Sequence, residues 1–216
     1  MKKFLRYLRK MICDFARDLG DDVASTSWYQ VLSGDDSTLE QCDLVSNLRV
    51  VFPVDDEMET APKEELLQND DSHEGGSPVR IPADYEYVNA IVLTQTCDLD
   101  YNKVDSVLVA KVQAWTDYVS ASKFDEKNAK MWLERVQKGQ VVHLVLMQPR
   151  EEAPVMKLSV VNFRSVYSVD PGSLRRHVAQ ENERLRLTPP HREFVSQAFA
   201  RCFMRVALED DLQGLL

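Results

Sequence analysis

The stretch Val88-Asn89-Ala90-Ile91-Val92-Leu93-Thr94-Gln95-Thr96-Cys97-Asp98-Leu99 begins as an apolar run and ends in small polar side chains. An apolar run that stops at polar residues is typical of a buried β-strand. The groups that follow such a strand, here a thiol, a carboxylate, an amide and two hydroxyls, reach one rim of a sheet. We therefore predict a functional site at this rim.

Hydrophobic patterns on both sides of this run predict the other strands and helices. Residues 86–96 and 104–112 predict a hairpin whose turn contains Asp98 and Asn102. Other strands are predicted at 38–54, 141–147, 156–163 and 165–169, and helices at 123–138, at 171–184 and after Pro189-Pro190. This order predicts an α+β fold, with a small β-barrel or a curled antiparallel sheet and helices at both ends of the chain.

The composition divides the chain into three regions. Residues 1–20 predict a basic amphipathic helix, whose apolar stripe consists of Phe4, Leu8, Met11, Ile12, Phe15 and Leu19. Residues 38–170 predict the barrel-like domain, with an acidic loop at 55–78 and an inserted helix at 123–138, and residues 171–216 predict a C-terminal helical segment. The N-terminal helix could pack on its own domain, bind a partner or lie on an anionic membrane.

Charge and cysteine content restrict the class of protein. The chain of 216 residues has a formal net charge of −9, which argues against a surface that grips a phosphate backbone everywhere. Its four cysteines are scattered, and neither a secretory signal nor an apolar run of the roughly 20 residues needed to cross a bilayer is visible. We expect a cytoplasmic protein with free thiols, no transmembrane segment, no metal and no cofactor.

The polar residues after the apolar run allow several chemistries. On a straight strand Thr94, Thr96 and Asp98 would share one face, and Gln95 and Cys97 the other. Cys97 could act as a nucleophile if an imidazole held it as thiolate, and His143 is the easiest partner among His73, His143, His177 and His191. Alternatively, these residues only bond the backbone of the turn. The candidate catalytic residues are Cys97, Asp98 and Thr94, and the candidate binding residues are Gln95 and Thr96.

A second constellation lies near the C-terminus. Arg184, Arg186, His191 and Arg192 surround the predicted start of the last helix, where backbone N–H groups favour an anion. This basic patch predicts contact with phosphate or nucleic acid. The alternative is that acidic neighbours, Glu181, Glu183 and Glu193, neutralise the arginines in ion pairs.

Two blocks of the sequence carry a resemblance to known proteins. The chain resembles a widespread group of uncharacterised bacterial proteins over roughly Leu39 to Leu208. The first block is Val92-Leu93-Thr94-Gln95-Thr96-Cys97-Asp98-Leu99, and the second is Arg184-Leu185-Arg186-Leu187 with the segments 190–193 and 197–206. This resemblance implies no activity.

More loosely, the order of strand, long loop, strand and polar tip resembles the PemK/MazF-type SH3-like barrels of toxin–antitoxin systems, which cut RNA. Cys42-Asp43 stands where that family has an opening Gly-Asp. The resemblance implies an SH3-like barrel and gives Arg80 the place of the family's catalytic arginine, whereas its catalytic Ser or Thr has no clear counterpart.

The function expected from these observations is a bacterial cytoplasmic interaction or regulatory module. It would bind a protein partner through its terminal helices and the rim at Gln95–Asp98, within a toxin–antitoxin or phage-defence system. Two alternatives stay open. One is an RNA-cutting or RNA-binding toxin that uses Arg80, Thr94 and the arginines of 184–192, and the other is a peripheral membrane protein anchored by residues 2–19.

Overall fold

The structure is a computed structural model, and it describes residues 27–34, 36, 38–53, 83–100 and 103–204. The predicted basic helix at 1–20, the acidic loop at 55–78, His73 and Arg80 lie outside the described residues.

The described residues form a mixed α+β fold with five helices and one antiparallel sheet of seven strands. Along the chain the elements are β1 (Tyr29–Ser33), β2 (Asp43–Pro53), β3 (Ala83–Val92), α1 (Thr96–Asp100), β4 (Val107–Ala114), α2 (Trp115–Ala121), α3 (Glu126–Gln137), β5 (Leu144–Met147), β6 (Ser159–Val169), α4 (Pro171–Val178), β7 (Glu183–Leu187) and α5 (His191–Phe203). The strand order is β1-β7-β2-β3-β4-β6-β5. The α+β prediction is confirmed, but within the described residues the sheet does not close into a barrel.

The predicted hairpin forms the centre of the sheet. Strands β3 and β4 pair antiparallel, with Val92 opposite Val109. The strands predicted at 156–163 and 165–169 are one strand, β6. Its register against β4 shifts between the pairs Ala110–Val166 and Lys111–Asn162. The residues skipped by this jump form an irregularity, which explains the break in the sequence pattern.

Two predictions about local structure are wrong. Strand β3 ends at Val92 rather than near residue 96, and residues 96–100 form the short helix α1. The alternation of side chains expected for residues 94–98 therefore does not apply. Helix α4 ends at Val178 rather than near Arg184, and the C-terminal segment contains the strand β7 at Glu183–Leu187. The alternation of Leu and Arg there has the period of a strand, not of a helix.

Strand β5 supplies side chains to two hydrophobic clusters. Val145 and Met147 belong to a cluster that also contains Val195 and Ala198 of α5. Leu144 and Leu146 belong to a second cluster, with Leu133, Val136 and Trp115. Helices α5 and α3 thus cover side chains that alternate along the same strand, as the period of two in a strand requires.

Helix α3 confirms the predicted inserted helix. The Asp125 side chain accepts a hydrogen bond from the Asn128 amide at 2.7 Å and caps the helix at its start. At its end Gly139 has a φ of +65°, and the amides of Gly139 and Gln140 donate to the carbonyls of Val136 and Arg135 at 3.0 and 2.9 Å. This pair of bonds is the Schellman motif, for which Gly is the favoured residue.

The chain divides into two compact units, one containing residues 1–48 and 88–216 and the other Arg49–Tyr87. In the second unit the guanidinium carbon of Arg49 lies 4.6 Å from the centre of the Tyr85 ring. The Tyr85 and Tyr87 rings meet edge to face at 5.7 Å, and both side chains are exposed.

We predict that Gly34→Ala destabilises the fold. A Cβ at Gly34 would lie 2.7 Å from the Glu181 carbonyl oxygen and 2.9 Å from that of Asn182, and both are backbone atoms. Relieving this overlap should cost about 1–3 kcal/mol of unfolding free energy, measured by urea denaturation. Gly172→Ala is the matched control, because its nearest neighbours are side-chain atoms at 3.4 Å. Equal stabilities of the two variants would contradict the close approach at Gly34.

Candidate functional site

The loop after β3 is fixed by hydrogen bonds from its threonines and its backbone. Thr94 Oγ1 accepts from the Leu108 amide at 2.8 Å, and Thr96 Oγ1 accepts from the Gln41 amide at 3.1 Å. The Gln41 side chain donates to the Leu93 carbonyl at 2.9 Å. The hydroxyls of Thr94 and Thr96, predicted as catalytic and binding groups, therefore accept hydrogen bonds from backbone N–H groups of β4 and of the segment before β2.

Cys97 is exposed at this loop. Its sulfur lies 3.8 Å from Gln95 Oε1 and 3.8 Å from Asp98 Oδ1. Both neighbours are oxygen acceptors, and neither is an imidazole or a positive group of the kind that stabilises a cysteine thiolate. The structure thus brings Gln95, Cys97 and Asp98 together, and among the residues that it describes no imidazole is bonded to the Cys97 thiol.

An open cleft of about 500 Å³ lies between this loop and helix α5. It is lined by Glu40, Gln41, Gln95, Thr96, Cys97, Arg192, Glu193, Ser196 and Gln197. No histidine is in this lining: His177 Nε2 lies 2.8 Å from the Ser46 carbonyl, and the buried His191 ring stacks on Trp28 at 3.9 Å. The described lining is therefore a polar concavity of carboxylate, amide, hydroxyl, thiol and guanidinium groups.

Helix α5 forms one wall of this cleft. Its residues at positions 192, 193, 196 and 197 share one face, as helical spacing requires. Arg192 Nη2 lies 3.2 Å from Glu193 Oε1, and Ser196 Oγ donates to the Arg192 carbonyl at 2.9 Å. The ion pair between Arg192 and Glu193 is the neutralisation that the sequence left open as an alternative.

The two other predicted arginines lie inside the protein. Arg184 and Arg186 are buried, and both bind the fully buried carboxylate of Asp43. Arg184 Nε donates to Asp43 Oδ2 at 3.3 Å and Arg186 Nη2 donates to the same oxygen at 3.0 Å. Their guanidinium groups therefore form an internal network instead of a basic surface patch.

This network holds the other wall of the cleft. Arg186 Nη1 donates to Glu40 Oε1 at 2.6 Å, and Arg186 Nη2 donates to the Thr38 carbonyl at 3.1 Å. Arg184 donates to the carbonyls of Asp36 and Thr38. Burial alone would lower the pKa of Arg186, but the hydrogen bonds and charge of Asp43 and the charge of Glu40 raise it above its ordinary value. Both arginines thus act as positioning residues for segment 36–43.

Cys42 connects this network to the sheet and to α5. Its backbone has a φ of +68°, its amide donates to the Val92 carbonyl at 2.8 Å, and its carbonyl accepts from the Leu187 amide at 3.2 Å. Its sulfur lies 3.7 Å from the Arg192 carbonyl oxygen. Burial raises the pKa of the Cys42 thiol to about 12. This side chain is a packed thiol between β2 and α5.

Sequence reasoning missed five residues of the cleft as site residues: Glu40, Gln41, Glu193, Ser196 and Gln197. The spacing of Arg192, Glu193, Ser196 and Gln197 on one helix face was a usable signal for the α5 wall. No sequence pattern placed Glu40 and Gln41 there, since Glu40 is held by Arg186 of the distant strand β7 and Gln41 by Thr96 and the Leu93 carbonyl.

We predict that Cys97 reacts with a maleimide or iodoacetamide far faster than Cys42. A thiol with a pKa near 12 has about 1 thiolate in 10,000 molecules at pH 8, and burial restricts access to it further. Mass spectrometry of digested protein should show Cys97 modified about 100-fold faster or more, with the two rates converging in denaturant. Equal rates in the native protein would contradict the placement of Cys42.

Among the residues that the structure describes, no helix is long and apolar enough to cross a membrane, and no group of three or more His, Cys, Asp or Glu could hold a metal ion. No protein family, curated protein or solved structure matches this chain. None of these comparisons therefore contributes to the inference of its function.

Proposed function

We propose that the protein is an interaction module that binds a protein partner in the cleft between residues 93–97 and α5. The observation that carries this proposal is the cleft itself, which presents the exposed side chains of Gln95, Cys97, Glu193 and Gln197 between two anchored walls. Amide side chains both donate and accept hydrogen bonds, so they suit the N–H and C=O groups of a polypeptide.

The cleft is organised before a partner arrives. Gln41 ties one wall to the loop after β3, and the buried ion pairs of Arg186 hold Glu40. On the other wall the Ser196 hydroxyl is bonded to α5 itself. A rigid surface loses little conformational entropy on binding, which supports a role in recognition.

The charges of the cleft favour a protein over RNA. Its lining contains two carboxylates, Glu40 and Glu193, and one guanidinium, Arg192. Glu40 is paired with Arg186, and Arg192 is paired with Glu193. Binding to a phosphate backbone relies on several unneutralised Lys and Arg side chains, whereas this lining offers hydrogen bonds without an excess of positive charge.

The wider context of this proposal comes from the sequence. The resemblance to PemK/MazF-type SH3-like barrels supports a place in a toxin–antitoxin or phage-defence system of the bacterial cytoplasm. Within such a system, this chain would bind another protein of the same system in its cleft.

Site-specific photo-crosslinking tests the proposal. With p-benzoylphenylalanine in place of Gln197, irradiation in cells of the source organism should join the full chain to one protein partner. The same amino acid in place of Lys127, which is exposed on α3, is the matched control and should not give this product. The double variant Gln95→Arg/Gln197→Arg should weaken binding of the partner thus identified by about tenfold or more, measured by calorimetry.

Two results would overturn the proposal. One is an identical set of crosslinked products from positions 127 and 197. The other is cleavage of labelled RNA by the purified chain that is lost in Arg80→Ala, because that result identifies the RNA-cutting alternative.

A further inference from the structure

Helix α5 separates the polar cleft from a second concavity on its other side. This groove has a volume of about 330 Å³ and lies between α5, the C-terminal end of α3 and strand β5. Phe194 and Ala198 of α5 line one wall, and Val141, Val145 and Leu146 are among the apolar residues opposite them. Phe194 remains 49% exposed, so the groove leaves a large aromatic side chain partly in water.

The groove lies along an edge of the sheet. Strand β5 is the last in the strand order, and in the described part of the chain it pairs only with β6. Its backbone therefore offers hydrogen-bonding groups on the outer side, next to the apolar side chains of the groove. An open strand edge beside apolar pockets is the geometry that takes up an extended peptide.

The charged residues of the groove have one sign. Lys138 and Arg201 both line it, and both are exposed. Neither forms an ion pair with any residue that the structure describes. The groove therefore fits an apolar segment that carries negative charge.

We propose that residues 205–216 of this chain occupy the groove. This segment, which lies outside the described residues, contains three consecutive acidic residues and five large apolar ones: Glu209, Asp210 and Asp211, with Val206, Leu208, Leu212, Leu215 and Leu216. Its one basic residue is Arg205, so its side chains carry a net charge of −2, from one positive and three negative groups. Its apolar side chains match the groove, and its carboxylates match Lys138 and Arg201.

Chain connectivity supports this occupant. The segment leaves α5 after Met204, three residues beyond Arg201 in the groove. Twelve extended residues reach about 40 Å, whereas α5 rises only about 10 Å between Phe194 and Arg201. A tethered segment has an effective concentration in the millimolar range, so even weak contacts would keep it bound.

The N-terminal segment is one rival occupant within the chain, and the acidic loop at 55–78 is another, but only residues 205–216 continue directly from α5 beside the groove. Residues 2–19 end nine positions before Trp28, and Trp28 lines the groove. However, these residues carry six Lys or Arg and two Asp. Their positive charge would meet Lys138 and Arg201, and like charges in contact are unfavourable. The charge therefore favours residues 205–216, and this proposal does not depend on the proposed function of the polar cleft.

Carbodiimide coupling of the unmodified full chain tests the proposal without a substitution. This reagent adds to a carboxylate and forms an O-acylisourea. The Lys138 amine then attacks the activated carbonyl carbon, so an amide bond forms and the reagent leaves as its urea. We expect mass spectrometry to find Lys138 joined to Glu209, Asp210 or Asp211 at low protein concentration. Failure to find any of these links would overturn the proposal.

Hydrogen exchange gives an independent measurement. Glu209→Lys/Asp210→Lys/Asp211→Lys should speed amide exchange in residues 141–147 about tenfold. Adding Lys138→Glu and Arg201→Glu should restore the slow exchange, because the charges again match. Glu151→Lys/Glu152→Lys is the control and should leave these amides unchanged.

Other outcomes identify other occupants and contradict the proposal. If Leu8→Asp/Ile12→Asp speeds exchange in the groove while the charge reversal at residues 209–211 does not, residues 2–19 occupy it. If protection or crosslinking increases with protein concentration, the segment comes from a second copy. Loss of partner binding by the Gln95 and Gln197 variants would leave this exchange pattern unchanged, so the two proposals fail separately.

Discussion

The structure depends on one buried carboxylate. Asp43 has no exposed surface and lies between the guanidinium groups of Arg184 and Arg186. Removing three charges from water costs several kcal/mol per ion, and only close contacts with complete hydrogen bonding offset this cost. Here the arginines extend their bonds to Glu40 and to backbone carbonyls of segment 36–43. The network thus makes an otherwise irregular segment part of the fold.

This constraint connects the sheet to the candidate site. Strand β7 pairs with both β1 and β2, and its leucines enter the core while its arginines bind Asp43. Arg186 also holds Glu40 at the cleft, and the next residue, Gln41, bonds to Thr96 and to the Leu93 carbonyl in the loop that leads to Cys97. Helix α5 forms the opposite wall, and Cys42, which follows Gln41 in the chain, packs against this helix. The cleft is therefore a consequence of core packing, with rigid walls on both sides.

The sequence predicted the features that depend on local patterns. Period-two apolar runs identified the β3–β4 hairpin, and helical spacing with a terminal glycine identified α3. Prediction from the sequence failed where contacts between residues far apart in the chain determine the structure. Arg184 and Arg186 looked like a surface patch because nothing local shows that both bind the buried carboxylate of Asp43, more than 140 positions earlier. The helical turn at residues 96–100 was also missed, since its polar residues fit a hairpin turn equally well.

A double-mutant cycle on the unfolding free energy tests this account most directly. Asp43→Asn removes the fully buried carboxylate that both buried guanidinium groups share, so it should cost about 3–5 kcal/mol, whereas Glu152→Gln at an exposed ion pair should cost less than about 1 kcal/mol. Combining Asp43→Asn with Arg186→Met should cost clearly less than the sum of the two single changes. Additive effects, or a cost for Asp43→Asn no larger than that for Glu152→Gln, would contradict the central role of the buried carboxylate.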